Sequence, residues 1–146
     1  PVALQRRIEP LRFIIAYLHH TFNPSKLRQS VLELREKAGF KPAMPILDGF
    51  EFQPGTPAQI ADLRQFAMDE KLSLWMSALT HRHIPLVNDR GIPAPCHQTD
   101  ELFDTILSLE PGAETIRVRV LKHDGAYGPP SRPVFLNSQS YLIENG

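Results

Sequence analysis

Residues 44–49 read Met-Pro-Ile-Leu-Asp-Gly, a short apolar run that stops on an acid and a glycine. Met44 to Leu47 is strand-length, and Asp48-Gly49 supplies turn chemistry at its end. Upstream, Arg12 to Leu18 (RFIIAYL) is nearly all apolar, the pattern of a strand buried on both faces. Downstream, Leu72 to Leu79 (LSLWMSAL) predicts a third strand. Helical spacing fills the gaps between them. Asn23-Pro24 offers an N-cap and a first-turn proline, Leu27, Val31, Leu34 and Ala38 form a stripe, and Gly39 is a stop. Thr56-Pro57-Ala58-Gln59 reads as a capping box ahead of Ile60, Leu63, Phe66 and Ala67.

After the proline-rich stretch 85–95 (PLVNDRGIPAP), Thr99 or Asp100 is expected to cap a third helix carrying Leu102, Phe103, Ile106 and Leu109. The period then changes to two: Ile116, Val118 and Val120 alternate with Arg117, Arg119 and Leu121, a half-buried strand. The turn-rich segment Lys122 to Pro133 leads to short runs at Val134 to Leu136 and Tyr141 to Ile143. Strands joined by single helices predict a parallel sheet. The expected fold class is therefore α/β: a mostly parallel sheet with flanking helices and an antiparallel C-terminal hairpin, residues 1–146 forming a single domain. The ends of the first three strands, at His19, Asp48 and Thr80, should share one edge of that sheet.

Composition narrows the functional classes. Sixteen basic residues balance sixteen acidic ones, so net charge lends no support to nucleic acid as a partner. No apolar run approaches the roughly 20 residues that span a bilayer, and a signal-peptide pattern is missing from the N-terminus. The one cysteine, Cys96, has no partner for an internal disulfide, which fits a reducing, cytoplasmic setting. The chain starts at Pro1 rather than Met, and the expectation is a piece of a longer protein.

In an open parallel sheet, ligands gather at the carboxyl ends of the strands. Asp48 is the sharpest signal there, because a carboxylate at a strand tip is how P-loop ATPases orient a metal-bound water. Ser77 and Thr80 would present hydroxyls beside it. His81 and His83 sit on the same side of an extended segment, and with Asp48 they suggest a metal-dependent hydrolase, although no recognised zinc spacing is present. Cys96-His97 is a weaker pairing of nucleophile and base, since sequence neighbours on a loop rarely share the needed geometry.

The stretch "PILDGFEF" resembles the Walker B strand of RecA-like P-loop ATPases. "LSLWMSALTHR" looks like that family's next strand, with a polar sensor at its tip. "DELFDTILSLEPGAETIRVRVLKHDGAYG" is similar to its later helix, strand and hairpin, so the resemblance covers residues 40–146. It implies that Asp48 is the magnesium-orienting carboxylate, Ser77 or Thr80 the sensor hydroxyl, and Lys122 a residue that reaches a nucleotide in a neighbouring subunit. It also implies ATP and Mg²⁺ as cofactors of an intact, oligomeric protein of which this chain is the C-terminal part. Two departures matter. The sequence contains no G-x-x-x-x-G-K-[ST], so nothing in it cradles β- and γ-phosphates. His19 and His20 stand where many relatives carry a water-activating glutamate. The chain reads as a fragment or degenerate relative that binds no cofactor and turns over no ATP alone. The rival expectation is a non-catalytic module that binds protein through the 85–95 loop and the C-terminal hairpin.

Overall fold

The computed structural model describes residues 6–17, 21–52, 56–80, 86–128 and 134–144. They divide into two compact units, Pro1–Phe50 with Ala58–Ser77, and Glu51–Pro57 with Ala78–Gly146.

The first unit contains α1 (Pro24–Ala38), β1 (Ile46–Leu47), most of α2 (Thr56–Asp69) and β2 (Trp75–Met76). Helix α1 begins and ends where its sequence says. The Asn23 side chain accepts the Lys26 N–H at 2.9 Å, Pro24 occupies the first turn, and Gly39 takes the left-handed conformation at φ 62°. The Phe40 N–H then donates back to the Leu34 carbonyl, closing the helix end. Leu27 and Val31 of α1 meet Leu63 and Phe66 of α2 in one apolar cluster. Burying each such side chain contributes about 1.5–3 kcal/mol. Across the top of the cluster, Arg28 pairs with Asp62 at 3.1 Å, and Arg35 pairs with Glu70.

Strands β1 and β2 pair in parallel, Ile46 with Trp75 and Leu47 with Met76. Alternation gives the pair two unlike faces. Leu47, Leu72, Leu74 and Met76 pack on the helical cluster, whereas Ile46 and Trp75 are 62% and 44% exposed.

The second unit is built on an antiparallel sheet of β3 (Ile106–Pro111), β4 (Thr115–His123), β6 (Val134–Asn137) and β7 (Ile143–Glu144), with β5 (Ala126–Tyr127) hairpinned onto β4. Its register sorts the side chains by face. Pro111, Ile116, Leu136 and Ile143 form one cross-strand row, Leu109, Val118 and Val134 a second, and Leu107 with Val120 a third. The opposite face carries Glu110, Arg117, Phe135 and Glu144, beside Ser108 and Arg119. Ile92 is this unit's one fully buried large apolar side chain among the described residues.

The architecture corrects the sequence-based fold class. The main sheet is antiparallel, and parallel pairing is confined to two residues in each of β1 and β2. Two misreadings account for the difference. The run 12–18 was expected to be a strand buried on both faces. Residues 12–17 form no strand, and Phe13, Ile14 and Ile15 are exposed; the segment is tied instead by side chains, Phe13 against the Phe40 ring and Tyr17 Oη to Ser30 Oγ at 2.9 Å. The helix expected from Thr99 or Asp100 to Leu109 is two 3₁₀ turns, Cys96–Gln98 and Asp100–Leu102, followed by strand β3. Its apolar residues satisfy both periods. The ladder to β4, closed by the Gly112 N–H donating to the Thr115 carbonyl at 2.8 Å, decides for the strand.

Candidate functional site

The parallel ladder brings two of the sequence-predicted residues together. Donation from Trp75 N–H to the Pro45 carbonyl and from Ser77 N–H to the Leu47 carbonyl carries the pairing past β2. Ser77 therefore arrives beside the residue that follows Leu47. Its Oγ donates to Asp48 Oδ1 at 2.5 Å and accepts the Gly49 N–H at 3.2 Å. Gly49 adopts φ 72°, a conformation that spares a Cβ penalty only in glycine. Asp48 and Ser77 are both exposed, so the pair opens to solvent at the carboxyl ends of adjacent parallel strands. An exposed carboxylate steadied by a hydroxyl suits a hard cation that keeps most of its waters, as Mg²⁺ does. Among the described residues no group of three or more His, Cys, Asp or Glu side chains has the geometry of a closed metal cage.

The other expected site residues lie elsewhere. Thr80 belongs to the second unit, where it borders a groove of about 660 Å³ with Val87, Pro93, Leu109 and Arg119. His19, His20, His81 and His83 lie outside the described residues. Cys96 opens a 3₁₀ turn; burial, helped by the negative charge of Asp100, pushes its thiol up to about 11, which leaves almost no thiolate near neutrality. The Nδ1 of His97 is buried without a hydrogen-bond partner among the described residues.

Lys122 is buried. Its Nζ donates to the Asp100 carbonyl at 2.9 Å and lies 5.0 Å from the centre of the Tyr127 ring. Around it stands a network that sequence reading missed. The Asp100 carboxylate accepts from Tyr127 Oη at 2.6 Å, from Arg90 at 3.0 Å and from Asn88 at 3.2 Å. Arg90 also reaches Glu101 at 2.5 Å. Burial pushes the Asp100 carboxyl up, but the Tyr127 hydroxyl and the Arg90 guanidinium outweigh it and hold the group below its ordinary 3.8. Asp100 looked like a helix cap, and Asn88 and Arg90 like ordinary loop residues. Only the hairpin at Gly125, φ 80°, brings Tyr127 back to them.

Neither a family model nor a curated protein matches this chain. Among the described residues, no helix is long and apolar enough to cross a membrane.

Proposed function

We propose that this chain carries the metal-and-water side of a nucleotide site of the RecA-like P-loop ATPase kind. The observation that supports this reading is the hydrogen bond between Asp48 and Ser77 at the ends of two paired parallel strands. Asp48 would hold Mg²⁺ through a bound water, and Ser77 would fix the rotamer of that carboxylate. Mg²⁺, when bound, supplies charge for phosphate oxygens. Ser77 is the better sensor hydroxyl of the two expected, because it already touches Asp48; Lys122, buried here, would have to leave its pocket to reach a nucleotide held by a neighbouring subunit. The phosphate-gripping loop is missing from these 146 residues, so a further polypeptide has to provide it.

Two measurements test the reading. Calorimetry on this chain should give a dissociation constant for Mg-ATP weaker than about 1 mM, equivalent to about −4 kcal/mol. A micromolar constant would contradict the claim that the phosphate grip lies outside the sequence. In an assembly that does hydrolyse ATP, Asp48→Asn should abolish turnover, while His81→Ala combined with His83→Ala should leave most of it.

A second reading, a module that binds protein, draws on a different observation. The apolar rows of the antiparallel sheet stay open, with Leu107, Leu109, Val134 and Ile143 all exposed, and scattered exposure would not align them in register. A pull-down or light-scattering experiment in which Leu109→Asp abolishes an association made by the unaltered chain would favour it.

A further inference from the structure

Lys122 is 4% exposed, and no carboxylate makes an ion pair with it among the described residues. Removing an ammonium from water is unfavourable, and what offsets that here is one backbone carbonyl and one aromatic face. The carboxylate of Asp100, whose backbone carbonyl Lys122 contacts, is already taken by Tyr127, Arg90 and Asn88. The lysine is thus stored by two modest contacts, and both depend on the position of one side chain or of the turn that carries Asp100.

Tyr127 is that side chain. Its ring lies against Lys122 at 5.0 Å and against the Arg90 guanidinium at 5.2 Å. Its hydroxyl is pinned twice, donating to Asp100 at 2.6 Å and accepting from Arg90 at 3.1 Å. The strand that bears it is two residues long, exposed, and flanked by Gly125 and Gly128 with φ of 80° and 121°. Glycine at both ends lets the tip rotate without steric cost.

We propose that Tyr127, pinned by Asp100 and Arg90, is a latch that keeps Lys122 inside the second unit, and that opening it turns the lysine out towards a phosphate-bearing ligand. The latch rests on the geometry of this unit alone; the phosphate as its target rests on the nucleotide reading above. Open, the Lys122 ammonium would present its N–H donors to a ligand.

The test is residue-resolved labelling of the whole chain with an amine-reactive ester at fixed pH. Lys26, Lys37, Lys41 and Lys71, all exposed, serve as internal references. In the unaltered chain Lys122 should label slowest. Tyr127→Phe keeps the ring but loses both hydroxyl bonds, and should raise the Lys122 rate about tenfold with the references unchanged. Asp100→Asn should move it in the same direction. Continued protection of Lys122 in Tyr127→Phe overturns the latch, as does a rise shared by all five lysines, which would make the network a brace whose loss unfolds the unit. Inorganic tripolyphosphate separates the two layers of the argument. If it slows labelling of the released Lys122, the phosphate assignment stands; if Lys122 opens but gains no such protection, the latch stands and the nucleotide reading loses its lysine.

Discussion

The two units bury opposite kinds of side chain. In the first, Leu27, Val31, Leu63 and Phe66 form the buried cluster, and the charges sit across it as Arg28–Asp62 and Arg35–Glu70. In the second, Asp100, Thr99 and Lys122 are buried beside Ile92, while Leu107, Leu109 and Ile143 face outward. The helical unit is held by the hydrophobic effect and the sheet unit by its backbone ladder and a charged network. A cluster of apolar side chains tolerates small shifts, because its attraction is non-directional. A hydrogen-bonded network does not, because each broken bond leaves a buried polar group unpaired. Strength without a defined geometry suits a scaffold. Directional bonds suit a part that switches between two arrangements.

Substitutions in each unit break or sharpen that contrast. The largest effect is expected for Leu63→Ala, a side chain 1% exposed at the centre of the helical cluster. A loss of about 2–5 kcal/mol should appear in urea unfolding followed by far-ultraviolet circular dichroism. Asp100→Ala comes next, at about 2–3 kcal/mol, because Tyr127, Arg90 and Asn88 each lose one acceptor. Amide exchange should locate that loss in residues 86–128 and leave α1 protected. Equal loss of protection in both units would show that the contrast is false.

Acid gives a subtler version of the same comparison. Asp100 is held below its ordinary 3.8 in the folded chain, so its contribution is fully present above that value and fades as pH falls through the depressed one. Stability measured by denaturant midpoint should therefore fall more steeply below about pH 4 in the unaltered chain than in Asp100→Asn, whose residue 100 does not titrate. Parallel curves would mean that the network contributes nothing to the acid response. The smallest effects belong to the open faces. Ile46→Ser and Leu109→Ser, at side chains 62% and 61% exposed, should each change stability by less than about 0.5 kcal/mol.

The caps of α1 were reliable signals in the sequence, whereas the cap read at Thr99 or Asp100 and the sheet were not. Asn23, Pro24 and Gly39 bounded α1 correctly because capping is settled within a few residues. The alternation of Ile116, Val118 and Val120 identified β4 for the same reason. Pairing is a long-range property, and Ile106 to Leu109 carry a pattern that either a helix or a strand accepts until β4 is in place. The site was half legible. Asp48 at the end of one apolar run and Ser77 within the next were expected on one sheet edge, and they meet. The Asp100 network had no sequence signature: its members come from a loop, a 3₁₀ turn and a hairpin separated by up to 39 residues, from Asn88 to Tyr127.

The central claim is that Asp48 and Ser77 form one side of a divalent-metal site, and paramagnetic mapping with Mn²⁺ tests it on the chain as it stands. Mn²⁺ shares the oxygen preference of Mg²⁺ and broadens amide resonances near where it binds. Titration should broaden the Asp48, Gly49 and Ser77 amides first, and Asp48→Asn should abolish that broadening while the Ser77 amide stays hydrogen-bonded to Leu47. Broadening that centres on Asp89 and Glu101 instead, or that persists unchanged at Ser77 in Asp48→Asn, would contradict the account.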